Sequence, residues 1–180
     1  MKNNGNNSEF DIEKLIQERQ LVDREITDEL NYYPTSRIEG LLLTNYVENI
    51  LKDCIVCLVK SKSARKISRQ IINEILLDRK VIDSWMFEDV KKIFQIRDQY
   101  GHTMKLSVID ETIKPIMMKL TIASRLKKTL PEWDELPLDD KLSRITDSLI
   151  LNLQICFENL LEGQGYHLQK KEEQYDGKDG

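Results

Sequence analysis

The 180-residue chain carries 27 Lys and Arg against 31 Asp and Glu, and the formal charge of -4 excludes a surface built to hold duplex nucleic acid by charge alone, leaving room only for a local basic site. The length suits one domain that buries a core without disulfides or metals, and 40% apolar with 32% charged residues and few Gly or Pro points to long amphipathic helices. The opening MKNNGNNSEF lacks the basic-then-apolar order of a signal peptide and no segment is apolar for long enough to span a bilayer, so the expectation is a cytoplasmic protein with no membrane partner.

The hydrophobic period stays near 3.6 along most of the chain, which predicts an all-α, single-domain helical bundle of about six helices. Its expected limits are a disordered N-terminus over 1–8, the bundle domain over 9–162 and a flexible tail over 163–180, where GQGYHLQKKEEQYDGKDG has little to bury. The first helix is predicted from about Glu9, with Ser8 as its cap and Ile12, Leu15, Val22, Ile26 and Leu30 on one stripe, and it stops at Pro34. Ser36 and Glu39 have capping-box spacing and open a second helix. From Leu41 to Val59 it is apolar over a broad arc, as in a central helix or one that also faces a second subunit, so a homodimer is expected.

After the SKS break, Ile67, Ile71 and Ile75 mark a third helix, and Asp83 or Ser84 caps a fourth with Val90, Ile93, Phe94 and Ile96 inward. A fifth begins near Ser107, places Ile109, Ile113, Met117 and Leu120 in register, and is expected to tolerate Pro115 as a residue of its early turns. The acidic, proline-containing LPEWDELPLDD then reads as a loop, followed by a sixth helix with Leu142, Ile145, Leu149, Leu153, Cys156 and Leu160 at heptad-like spacing.

Three cysteines without a secretory signal suit a reducing compartment. Cys54 and Cys57 form a CxxC inside DCIVCLV, an apolar helical run with neither further ligands at zinc-like spacing nor the electropositive turn of a redox pair, so they read as core residues; no metal and no cofactor is expected.

The residues that look built for chemistry lie in RDQYGH at the end of the fourth helix: Arg97, Asp98 and His102. Histidine is the side chain suited to proton transfer near neutral pH, and the second one, His167, sits in the polar tail and reads as a bystander. On an ideal helix Asp98 and His102 share a face, whereas five steps place Arg97 about 140° from His102. Gly101 is expected to loosen this last turn, or a second subunit to complete the site. A histidine beside an arginine suits metal-independent cleavage of RNA: imidazole moves the 2′-hydroxyl proton, guanidinium holds the phosphate, and Asp98 orients the imidazole. Lys91, Lys92 and Lys105 add local positive charge. The competing reading makes Arg97 and Asp98 solvated charges and His102 a residue favoured at a helix C-terminus by the dipole.

IRDQYGH resembles the R-x(4–6)-H motif of the HEPN superfamily, in which a polar residue usually follows the arginine. The stretch KISRQIINEILLDRKVIDSWMFEDVKKIFQIRDQYGH, continued by LSVIDETIKPIMMKL, is similar to mannitol-repressor-like helical proteins around their IRN-x-FAH segment. The likeness spans about Thr44 to Leu120, and the chain departs from it at Tyr100 and Gly101, where Phe and a small apolar residue are common. It implies an α-helical, usually dimeric domain. In many HEPN members this is an RNase toxin or defence effector whose motifs meet across the dimer, with Arg97, Asp98 and His102 as the catalytic set and RNA as substrate. In mannitol-repressor-like members it implies a non-catalytic regulator that acts through partners, and a protein antitoxin or regulatory partner is expected accordingly. A DNA-binding repressor is poorly matched, since no basic recognition helix follows a short turn.

Overall fold

The computed structural model describes residues 11–32, 36–102 and 106–165, with side chains described over 11–24, 41–100 and 111–165. These residues form an all-α bundle: α1 (Ile12–Tyr32), α2 (Ser36–Val59), α3 (Arg69–Asp78), α4 (Ser84–His102), α5 (Leu106–Met117), α6 (Thr121–Thr129) and α7 (Leu138–Glu162), with 3-10 turns at Lys62–Lys66 and Trp133–Glu135. No strand occurs among them. The expected Ser8 cap lies outside the described residues; the observed cap is Asp11, whose Oδ1 accepts the Lys14 N–H at 3.1 Å, the contact made by a cap residue with the third residue of the helix.

The C-terminal half of α2 is the most buried part of the helix, with Ile50, Leu51 and the run Asp53 to Cys57 all removed from solvent. It packs most extensively on α7 and also against α1, α3 and α4. The broad apolar arc that raised the expectation of a subunit interface is therefore largely covered within one chain; Val59 at the C-terminal end remains exposed. A helix with so broad an apolar arc belongs inside a bundle, and α2 packs on four of the other helices, with Glu48 and Lys52 on its partly exposed side.

Where helices end is less legible. α2 and α3 each stop at a lysine with positive φ, Lys60 at 55° and Lys80 at 58°. The following residues close each end backwards, Ser61 N–H to the Val56 carbonyl at 3.3 Å and Val81 N–H to the Leu76 carbonyl at 2.9 Å. These are Schellman closures, usually made by Gly, and a lysine there pays a modest backbone cost. The third helix consequently starts later than its stripe suggests. Ile67 is extended after the 3-10 turn, α3 begins at Arg69, and its buried face is Ile72 and Leu76, with Ile71 49% exposed.

The predicted fifth helix proves to be two. Pro115 lies in the last turn of α5, not its early turns, and the helix ends at Met117. Proline costs the helix the hydrogen bond back to the preceding turn, and the end itself tightens into i to i+3 bonds, Lys119 N–H to the Ile116 carbonyl at 3.1 Å and Leu120 N–H to the Met117 carbonyl at 3.0 Å. α6 starts afresh at Thr121 because its free N-terminal N–H groups find a remote acceptor: Asp89 of α4, 1% exposed, takes the Thr121 and Ile122 N–H groups on its two oxygens at 2.9 Å each. Asp89→Ala is expected to cost about 2 kcal/mol or more, since it strands two N–H groups at a buried helix start. Urea unfolding checks this, and a variant within 0.5 kcal/mol of wild type would show the cap to be dispensable.

The acidic loop is not featureless either. Trp133 in its 3-10 turn is 2% exposed and joins the core. α7 buries Leu142, Ile145, Leu149 and Leu153 as expected, then Phe157 and Leu161, whereas Cys156 and Leu160 are only partly covered.

Candidate functional site

RDQYGH is helical throughout, so Gly101 does not break the last turn of α4. Ile96 and Tyr100, four apart, turn into the core, and Arg97 and Asp98, successive steps around the helix from Ile96, are both partly exposed. Arg97, its side chain 31% exposed, donates from Nη1 to Glu48 Oε2 of α2 at 3.3 Å, and Glu48 Oε1 meets Lys52 Nζ at 2.7 Å. Asp98 receives Arg69 Nη2 of α3 at 3.1 and 3.3 Å on its two oxygens. His102 is the last residue of α4 and its side chain lies outside the described residues. Its backbone position is one turn beyond Asp98 and, on a continuous helix, about 140° around from Arg97. The backbone of the last turn is therefore not loosened at Gly101, contrary to expectation.

Of the lysines expected to add positive charge here, Lys105 lies outside the described residues. Lys92 turns towards buried Asp89 at 3.5 Å and serves the α6 cap. Lys91 remains, half-exposed, with Nζ 5.0 Å over the Phe87 ring and 3.4 Å from Glu88.

Two features of the surroundings escaped the sequence reading. One is a cleft of about 330 Å³ between α3 and α4 that Asp98 borders. Arg69 lies 4.7 Å over the Phe94 ring on one side of it and Lys91 over Phe87 on the other. The available signal was the spacing of Phe87, Lys91, Phe94 and Asp98, which repeats every three or four residues and so lies on one helix face. The second is a buried polar cluster: Asp53 on α2, 2% exposed, accepts Arg19 Nη1 of α1 at 3.0 Å and Arg65 Nη2 at 2.5 Å. Charged residues standing in the apolar phase, Arg19 between Leu15 and Val22 and Asp53 beside Ile50 and Cys54, were its visible mark.

Cys54 and Cys57 are fully buried in the last two turns of α2. Burial pushes the Cys54 thiol well above its ordinary value and raises Cys57, with Lys60 opposing the latter; burial, then Asp83, raises Cys156. Thiolate is the reactive form, so at neutral pH iodoacetamide is expected to leave Cys54 and Cys57 unmodified in the folded protein and to label all three in denaturant. Fast native labelling of either CxxC residue, seen by mass spectrometry, would contradict the core assignment. Among the described residues no group of three or more His, Cys, Asp or Glu is placed to hold a metal, and no helix is long and apolar enough to cross a membrane.

Comparison of the chain with protein-family models, with curated proteins and with solved structures finds no match.

Proposed function

We propose that the chain is a HEPN-like, metal-independent endoribonuclease of the toxin or defence type, acting in the cytoplasm. His102 is the general acid and base, Arg97 the phosphate-stabilising residue and Asp98 the residue that orients the imidazole. The observation that supports this best is that Arg97 and Asp98, near the C-terminal end of α4, are both partly exposed instead of in the core, with Asp98 bordering a cleft that carries Arg69 and Lys91. Their partners do not bar the role. A partly exposed ion pair such as Arg97 with Glu48 contributes about 0–1 kcal/mol, less than a charge-assisted contact to a phosphate supplies. The helical separation of Arg97 and His102 favours a homodimer in which Arg97 of one copy and His102 of the other flank the same phosphodiester, and a protein antitoxin would then act by covering that end of the bundle.

A second reading has its own support. Arg97 reaches α2 through Glu48 and Asp98 reaches α3 through Arg69, so the same residues clamp three helices together, as they would in a non-catalytic dimeric regulator or adaptor of the mannitol-repressor-like kind. Incubation of the pure protein with total RNA in EDTA, beside His102→Ala, separates the two. Cleavage that depends on His102 supports the nuclease, and intact RNA with wild-type protein supports the adaptor.

A further inference from the structure

We propose that the cleft between α3 and α4 is a nucleotide subsite, holding one unpaired nucleotide of the RNA strand next to the scissile bond; this rests on the nuclease reading. The cleft offers the three kinds of group that a nucleotide engages. For the phosphate there are two cations, Lys91 and Arg69, both partly exposed; each faces a carboxylate, Glu88 and Asp98, and Glu74 also lines the cleft, so a phosphate must draw a cation from a solvent-screened pair of small worth. For the base there is a planar surface: the Arg69 guanidinium is already stacked on Phe94, and a guanidinium plane takes a base on its other face as an aromatic ring does. For the base edge there are the Gln95 amide, which accepts and donates, and the Gln70 carbonyl, which accepts from exocyclic amines while its Nε2 donates to Glu74 Oε1 at 3.2 Å.

Deeper in the wall, Asn73 is 2% exposed and donates from Nδ2 to the Phe87 carbonyl at 3.2 Å, which fixes its amide, while its Oδ1 finds no partner among the described residues. A buried acceptor without a partner calls for a donor, and a base amine entering beside it meets that need after a small shift of the side chain. The volume, about 330 Å³, is at the small end of ligand pockets and admits one nucleotide, not a duplex. The chain's overall charge of -4 agrees with a local pocket and not with a broad phosphate track. Asp98 joins the cleft to the proposed catalytic set, since it belongs to both.

The test is a binding titration of a fluorescent, fully 2′-O-methylated RNA octamer, which has no 2′-hydroxyl to attack, followed by fluorescence anisotropy. Neither Lys91→Glu, which reverses a cation at the rim, nor Gln70→Trp, which plugs the cleft from an exposed position, touches the catalytic set, and circular dichroism confirms that each folds. Wild type is expected to bind, and each variant to weaken binding about tenfold or more, as loss of a stacked or charge-paired nucleotide does. Unchanged binding by both folded variants, or no binding by wild type, overturns the subsite. If both variants lose octamer binding and ordinary RNA is never cleaved, the cleft is a nucleotide-binding site but not one beside a scissile bond, and the nuclease falls. If ordinary RNA is cleaved while both variants bind the octamer as wild type does, the nuclease stands and the subsite falls.

Discussion

Asp53→Ala is expected to lower the unfolding free energy by about 3–5 kcal/mol, the range found when one partner of a buried ion pair is removed. The cost comes from what stays behind. Arg19 is 6% exposed, stacks 4.6 Å over the Tyr46 ring and has Asp23 at 3.0 Å as its second carboxylate, and its Nη2 finds no partner among the described residues. Without Asp53 this guanidinium keeps its burial and loses its innermost counter-charge. Tyr46 in turn accepts the Gln154 amide of α7 at 2.8 Å, so the disturbance reaches the helix that α2 packs on most.

Two titration shifts in this cluster point different ways. Burial raises the Asp53 carboxyl, against the pull of Arg19 and Arg65, as if the charged form were unwelcome. Burial lowers Arg19, yet Asp23, Tyr46 and Asp53 together leave it raised, as if its charge were welcome. The direction that stands is the charged Arg19, because a guanidinium does not give up its proton at ordinary pH and must be matched. For Asp53 alone the sign is that of a raised carboxyl: its contribution is present below the unfolded value and is lost as pH rises through the folded one. Because Arg19 keeps its charge, removing one partner of the pair is expensive whatever the pair is worth against apolar side chains. Replacing both, Arg19→Met with Asp53→Leu, is therefore expected to recover most of the loss. Guanidinium unfolding of the single and double variants measures this, and an Asp53→Ala protein within 1 kcal/mol of wild type would refute the argument.

RNA cleavage by wild type in EDTA should leave a 2′,3′-cyclic phosphate and fall on the order of a hundredfold or more in His102→Ala or Arg97→Ala. Each outcome follows from one assigned role. Imidazole supplies the proton transfer that a metal-bound hydroxide would otherwise supply, so a chelator has nothing to remove. The attacking oxygen is the RNA's own 2′-hydroxyl, which closes on the adjacent phosphorus as the 5′-oxygen of the next nucleotide leaves with a proton; DNA should be untouched. In the proposed mechanism Arg97 acts by charge on the phosphate, and its ion pair offers a discriminating variant. Glu48→Gln removes the carboxylate that holds Arg97 at 3.3 Å, so if the guanidinium serves the phosphate, cleavage should rise or hold, whereas an Arg97 that only clamps α4 to α2 predicts that Glu48→Gln and Arg97→Ala lose cleavage together. Unchanged cleavage by folded His102→Ala would end the catalytic assignment.

The all-α class was written in the sequence, because a 3.6-residue apolar period can bury its stripe only as a helix, and the central place of α2 followed from an apolar arc too broad for one neighbour. The stripe of α7 was legible for the same reason. RDQYGH was visible because so few residues of this chain can move a proton near neutral pH. Helix ends were harder to read: Lys60 and Lys80 close α2 and α3 in a conformation usually given to glycine, and a lysine carries no sign of it. The break between α5 and α6 was decided by Asp89, 32 residues before Thr121, whose capping carboxylate reaches α6 only once α4 lies against it. The partners of the motif are tertiary too. Glu48 and Arg69 are distant in the chain and meet Arg97 and Asp98 because α2 and α3 pack on α4, and the cleft beside them exists only between two helices. Periodicity reports which face of a helix is buried; which face of another helix covers it, and what the charges at that seam find there, is settled by packing.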